Sequence, residues 1–260
     1  MVGKYHKIKF LCSPDQGMYD ALNKGLDYAT GEIIGFLNTD DLYGENVFNE
    51  IAKYFHDNSL MAVAGEAIVV VQHPGGVMEI VDKYSSVKTS LMESSMLKGT
   101  YFNAWFFRKN VFERIGKFDI RYKIAGDLDF MLRFALNNLS FVSIRKLVYI
   151  YQQHEGSLTF SETGQKRITS AKENLVLADS YLHNQNLPKQ AKRLVKNLHS
   201  RETAELVLRS IWARKIKDLY LYSKEGMLHD ILWPLRFFMI TAIILPKFFL
   251  KKHRKFLIRF

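Results

Sequence analysis

Two groups of carboxylates in this 260-residue chain have the types and spacing that could do chemistry. The first, Asn38-Thr39-Asp40-Asp41, follows a strand-like run from Glu32 to Leu37. Adjacent carboxylates on a tight turn can hold a divalent cation through oxygen, and Mg²⁺ or Mn²⁺ needs only one or two of them when water and phosphate complete the shell. Taken alone, Asp-Asp after a strand is more often a turn and helix-cap device than a metal site. The second group is Gly126-Asp127-Leu128-Asp129, with Arg133 four residues beyond Asp129. Asp129 and Arg133 have the spacing of a helical ion pair worth a few tenths of a kcal/mol. Asp127 is a general-base candidate on condition that it faces the acidic turn, because a carboxylate must lie within hydrogen-bond reach of the hydroxyl it deprotonates.

The elements that must position these groups can be read from hydrophobic periodicity. Met18, Ala21, Leu22, Leu26 and Ala29 recur at helical spacing, and Gly31 marks the stop. A buried strand from Glu32 to Leu37 leads into the acidic turn, and helical spacing resumes from Asn46 to Phe55. Strand, acidic turn and helix in that order predict an α/β layer in which the polar cluster sits at the carboxyl end of a strand. A valine-rich strand follows from Met61 to Gln72, and Gly75-Gly76 supplies a turn before another short strand. Beyond an aromatic run starting at 102, the pattern predicts a helix from Lys109 to Ile115 and a loop to Gly126. It then predicts a helix from Asp127 to Asn137 and a strand from Phe141 to Tyr149. The character changes to basic helices after Ser157, which places a domain boundary near residue 165.

Charge divides along the same line. Residues 1–160 hold 17 Lys+Arg against 18 Asp+Glu, whereas residues 161–260 hold 20 against 8, so the net charge of +11 is C-terminal in origin. Such an arm meets something anionic. Ile231 to Leu250 is strongly apolar, yet only 11 residues separate Pro234 from Pro246, short of the about 20 needed to span a bilayer. Phenylalanines alternating with Lys and Arg from Lys247 to Phe260 match an interfacial helix on anionic lipid. A monotopic anchor over 231–260 is the first expectation. A span from about Leu232 to Leu250 is the second, and a helix packed on the catalytic domain is the third. No nucleic-acid module accompanies the basic residues, so nucleic acid is not an expected partner. Met1 to Lys9 lacks the pattern of an export signal, and the single Cys12 asks for no oxidising compartment, so the expected location is the cytoplasmic side of a membrane.

One long run resembles a known family. Ser13 to Gly25, followed by Ala29-Thr30-Gly31-Glu32-Ile33-Ile34-Gly35-Phe36-Leu37-Asn38-Thr39-Asp40-Asp41, is similar to the signature of glycosyltransferase family 2. Phe106 to Lys109, Gly116 to Asp119 and Ala125 to Arg133 resemble the same family's acceptor-side segment, so the likeness covers residues 10 to about 158. It implies the α/β nucleotide-diphospho-sugar transferase fold (GT-A, Rossmann-like) over residues 1–164. A basic helical region (165–230) and a membrane-associating tail (231–260) would follow. It also implies inverting transfer from a nucleoside-diphosphate sugar to a hydroxyl of a cell-envelope glycan or lipid-linked acceptor. Asp40 and Asp41 would join metal to diphosphate, Asp127 would be the base, and Asp15, Gly17 and Asn23 would border the nucleotide. His154, in a turn resembling the segment that closes over the diphosphate, would be a third metal ligand. Read alone, Gly17 and Asn23 serve equally as a helix entry and cap, and a lone histidine is more often a surface or core residue.

The sequence departs from the family pattern twice. Asn38 stands where an aspartate is frequent, which removes one negative charge and leaves Asp40 and Asp41 to suffice. The resembling run also starts at the family's third strand. A strand-helix-strand unit of ~30 residues, with a carboxylate for base and ribose, therefore has no counterpart. That predicts an uncovered sheet edge, and a separate N-terminal half or a second copy of the chain to complete the pocket. The competing expectation is a catalytically inactive fragment that binds a membrane or a partner.

Overall fold

The computed structural model describes residues 8–73, 77–85, 101–154, 165–250 and 256–258. Helix α1 (Met18–Tyr28) precedes strand β1 (Ile33–Gly35), whose exit turn carries Asp40 and Asp41 into β2 (Leu42–Tyr43) and then α2 (Val47–Tyr54). Strands β3 (Ala62–Gln72) and β4 (Met78–Tyr84) follow, then a 3₁₀ turn at Phe102–Ala104 leading into β5 (Trp105–Arg108) and the short α3 (Asn110–Arg114). Helix α4 (Gly126–Leu136) and the long β6 (Phe141–Gln153) complete the α/β part.

Strand β3 organises the sheet. One edge pairs in parallel with β6, from Ala62↔Phe141 to Val71↔Gln153. The other edge pairs antiparallel with β5 over Ala62–Ala64 and with β4 over Ala67–Gln72. Because β5 is antiparallel to both β1 and β3, strands β1, β3 and β6 all run the same way. The turn after β1 and the end of β6 therefore lie at one edge, the carboxyl side where open α/β sheets place ligands. Strand β2 fixes the register there by pairing Leu42 with Ile150 and Tyr43 with Tyr149. β6 extends to Gln153, four residues past the end predicted from its apolar pattern, because pairing with β3 continues after the apolar residues give way to Gln152 and Gln153.

The core between sheet and helices is aromatic. Phe107, Phe130 and Phe134 are fully buried and Trp105 nearly so; Phe112 stacks on Phe130 at 4.9 Å between centroids. Each such side chain contributes about 1.5–3 kcal/mol by leaving water, so this cluster is what holds α4 to the sheet.

Helices α5 (Gln165–Leu182), α6 (Lys189–Trp212), α7 (Ile216–His229) and α8 (Trp233–Leu250) form the basic region. α5 and α6 share a core with α4: Tyr122, Ala125 and Leu132 pack with Leu177, Ala178, Leu194 and Leu198.

The tail differs from the predicted interfacial helix. α8 runs through Pro246 to Leu250, and Phe256–Ile258 form a strand, β7, that pairs antiparallel with Met78–Ile80 of β4. A short apolar run such as Phe256-Leu257-Ile258 satisfies a strand as readily as a helix, and the free edge of β4 supplies its hydrogen bonds. Pro234 sits in the first turn of α8, where no backbone donor is needed. No helix among the described residues is long and apolar enough to cross a membrane.

Candidate functional site

The acidic turn presents its two carboxylates in opposite directions. Asp41 is buried. Its Oδ2 accepts hydrogen bonds from the Tyr149 hydroxyl (2.7 Å) and Asn38 Nδ2 (2.9 Å), and its Oδ1 from the backbone N–H of Gln152 (2.8 Å). Tyr149 in turn accepts from Asn103 Nδ2 at 2.9 Å. Asp41 thus ties the β1 exit turn to β6, and Asn38 donates to Asp41 within the turn. Asp40 points outward with 41% of its side chain exposed and is hydrogen-bonded to Nε2 of His154, one residue past the end of β6. That hydrogen bond holds the Asp40 carboxyl below its ordinary pKa. The fold therefore assembles a pair that the sequence only suggested: Asp40 and His154 meet across 114 residues of chain.

Asp127 lies in the first turn of α4 and is half-buried. Burial pushes its pKa up to about 6, against the opposing pull of the Leu128 N–H, which donates to Oδ1 at 2.7 Å. The first turn of α4 is fitted closely to Tyr19 of α1. A Cβ on Gly126 would lie 2.7 Å from the Tyr19 ring, and the Tyr19 hydroxyl accepts from the Asp127 N–H (3.1 Å) while donating to the Ile124 carbonyl (2.8 Å). Ring contacts run from Tyr19 to Phe118 (5.3 Å) and from Phe118 to Phe36 (5.5 Å), two residues before Asn38. One aromatic cluster thus supports both the start of α4 and the exit of β1.

Asp129 is buried and committed to structure, as its i,i+4 spacing to Arg133 predicts. Its Oδ2 accepts from Arg133 Nε at 2.9 Å and its Oδ1 from the Tyr181 hydroxyl at 3.0 Å. Arg133 also donates to the carbonyls of Gly116 (3.0 Å) and Lys117 (2.8 Å).

At the amino-terminal side, Asp15 accepts from the Gly17 N–H at 2.9 Å, and Gly17, at φ 126°, enters α1 in a conformation that L side chains rarely adopt. These two residues form a helix entry. Asn23, expected at the border of the nucleotide, is a clamp: its Nδ2 donates to the Phe118 carbonyl (2.8 Å) and its Oδ1 accepts from the Phe118 N–H (3.0 Å). Both ends of its amide are engaged by one backbone residue.

Glu173, on α5, is a contributor that sequence reasoning missed. Its carboxylate accepts the N–H groups of Lys123 (2.7 Å), Ile124 (2.5 Å) and Ala125 (2.6 Å), the three residues just before α4, and its charge raises the Asp127 pKa further. A glutamate on a polar helix face carries no local signal of such a role.

Comparison with known proteins shows what the chain resembles. Residues 1–116 match the model of glycosyl transferase family 2. Over this stretch the chain is similar to that family. A PGL/p-HBAD biosynthesis glycosyltransferase of Mycobacterium tuberculosis is 32% identical over 124 residues, covering 46% of this chain and 44% of the relative. An uncharacterized glycosyltransferase of Nostoc is 27% identical over 132 residues, 46% of this chain and 39% of its own. The chain thus spans less than half the length of these curated relatives. The crystal structure of S. aureus TarS 1–349 in complex with UDP superposes with a TM-score of 0.50 at 15% identity, covering 87% of this chain and 67% of that one. The fold is the GT-A α/β type. Asp127 and His154 lie beyond the family match and rest on geometry.

Proposed function

We propose that this chain works as a glycosyltransferase, moving a sugar from a nucleoside-diphosphate donor to a hydroxyl of a glycan or lipid-linked acceptor with inversion at the anomeric carbon. The observation that carries the reading is the outward pairing of Asp40 with His154 at the carboxyl edge of β1 and β6, with Asp40 inside the stretch that matches the family 2 model. A carboxylate oxygen and an imidazole nitrogen, both exposed, suit a Mg²⁺ or Mn²⁺ ion whose other ligands are water and phosphate. Such an ion would neutralise the charge that develops on the departing diphosphate. In this reading Asp40 and His154 hold the cation and Asp41 keeps the turn in place from beneath. Asp127 accepts the proton of the acceptor hydroxyl as that oxygen bonds the anomeric carbon and the bond to diphosphate breaks. A pKa of about 6 leaves Asp127 ionised yet basic at neutral pH. UDP, seen bound in the TarS structure, is the first nucleotide to try. Titration calorimetry of Mn²⁺ with UDP should give clear heats for the wild type and none for Asp40→Ala or His154→Ala. Equal binding by wild type and both variants would remove the assignment.

The membrane reading is supported by α8. Trp233, Phe237 and Ile240 pack inward, whereas Leu235, Phe238 and Met239 face solvent, as do Ile231 and Leu232 just before the helix. A helix apolar on both faces leaves one face to be covered, and the basic region around it suits the anionic cytoplasmic face of a membrane. Sedimentation with anionic vesicles should fall sharply in a Leu235→Ser/Phe238→Ser/Met239→Ser variant. Unchanged partition would eliminate this contact.

A further inference from the structure

We propose that Asp179, His199, Glu225 and His229 form a second cation site, a four-ligand site of the Zn²⁺ class that ties together α5, α6 and α7. The residues come from three helices, and Glu225 and His229 project from the same face of α7 at i,i+4 spacing. One ligand atom from each lies within 4.8 Å of every other. The closer separations are 2.9 Å between His229 Nε2 and Asp179 Oδ1, 3.4 Å between His199 Nε2 and the same oxygen, and 3.6 Å between His199 Nε2 and Glu225 Oε1. Tetrahedral Zn²⁺ with bonds of about 2.0–2.2 Å to nitrogen and oxygen places its ligand atoms roughly 3.3–3.6 Å apart, which the two His199 separations match and the remaining pairs approach to within side-chain adjustment.

The hydrogen bonds point the same way. His199 is 1% exposed, yet its Nε2 has no hydrogen-bond partner, and neither has Oδ1 of Asp179. A buried polar atom left without a partner is destabilising. If Nε2 carries a proton, both carboxylate oxygens stand beyond good hydrogen-bond reach of it; if it carries a lone pair, that lone pair faces two anionic oxygens. A cation between them resolves both cases. Asp179, Glu225 and His229 remain between 24% and 31% exposed, which leaves an entry path from solvent. This site is separate from the exposed Asp40–His154 pair and does not depend on the proposed reaction. Its role is structural: four protein ligands close the coordination shell, as in structural rather than catalytic zinc sites.

The test uses the full chain carrying Asp40→Asn and His154→Gln, which removes the other metal donors. After chelator treatment and dialysis, Zn²⁺ is titrated against a chromophoric competitor, Co²⁺ binding is followed by its visible absorption, and thermal melting is recorded with and without Zn²⁺. Expected are one equivalent of Zn²⁺, the intense Co²⁺ bands of a tetrahedral site, and a melting temperature that rises with Zn²⁺. Glu225→Gln and His229→Gln, on the solvent side of the cluster, should each weaken affinity by well over the about tenfold that even an outer contact to a metal ligand costs. His199→Asn should abolish binding, and the two accessible variants keep the test decisive if that buried change prevents folding. Binding of equal strength in the parent, Glu225→Gln and His229→Gln chains, a weak octahedral Co²⁺ spectrum, or a melting temperature indifferent to Zn²⁺ would each overturn the site.

Discussion

Replacing Asp127 by Asn should make the protein more stable at neutral pH while removing the proposed base. Asn retains the Oδ1 that accepts the Leu128 N–H but carries no charge to desolvate. Burial moves the Asp127 pKa from 3.8 to about 6, and at 1.36 kcal/mol per pKa unit the ionised carboxylate costs the folded state up to about 3 kcal/mol. The sign comes from proton counts. Between pH 3.8 and 6 the native state holds a proton that the unfolded chain has released, so wild-type stability falls as pH rises through that window and stays reduced above it. The two proteins should therefore be nearly equal in stability near pH 4, and the variant should be ahead by up to about 3 kcal/mol at pH 7.5. Because the side chain keeps some contact with solvent, this figure is a ceiling. Urea unfolding at intervals from about pH 4 to 8 reads the difference directly, through midpoints at constant m. Stability curves that run parallel across this range would refute the desolvation argument. A wild type that gains on the variant as pH rises would show that Asp127 is stabilised as an anion instead. In an assay of transfer, wild-type turnover should rise with pH through about 6 and the variant should show no such rise.

Three further outcomes are expected from the packing. Glu173→Ala removes an acceptor of three backbone N–H groups and should cost about 2–4 kcal/mol in chemical unfolding. It should also lower the pH at which Asp127 titrates, measured by NMR of the carboxyl carbon. Asp41→Ala leaves the Tyr149 hydroxyl and the Gln152 N–H without their acceptor and should cost about 3 kcal/mol, whereas Asp40→Ala at the surface should change stability by less than about 1 kcal/mol; equal losses would contradict the inward and outward assignment. Gly126→Ala drives a methyl group against the Tyr19 ring and should cost about 1–3 kcal/mol, with a displaced Tyr19 visible in near-UV circular dichroism.

The parts of the fold that can be read from the sequence are those with a local cause. Leu22 and Leu26 reveal α1 because one helical face must be buried, although Met18, which shares their spacing, is exposed and Tyr19 takes its place in the core; the valine run of β3 is legible because it is largely buried. The acidic turn can be located because the apolar run before it has to end somewhere polar, although that run proves to alternate buried Ile34 and Phe36 with exposed Gly35 and Leu37 instead of being buried throughout. The direction each carboxylate faces is not legible, because it depends on Tyr149 and Gln152, more than a hundred residues away in the chain. Of the four residues in the helical cluster, only the Glu225 and His229 pair has a spacing that could be noticed; Asp179 and His199 join it through helix packing alone. The tail departs from its expected helix because a short apolar segment fits helix or strand, and the neighbour that decides between them, β4, lies about 180 residues earlier.

Helix α5 gives the molecule its natural unit of recombination. Glu173, Tyr181 and the buried Leu177 all reach back to the segment 122–132, so the start of α4 is built half by its own domain and half by the next. A chimera cut at the compositional break near residue 165 would hand Asp127 a foreign neighbour and leave three backbone donors facing whatever residue replaced Glu173. Shuffling that keeps 122–136 and 165–198 from the same parent preserves the seam. An exchange confined to the strands before residue 100 would leave that seam untouched. Lineages that diversify such proteins by exchanging carboxy-terminal segments are thus expected to carry the α4 loop with them, and covariation between position 173 and positions 123 to 125 would be its trace.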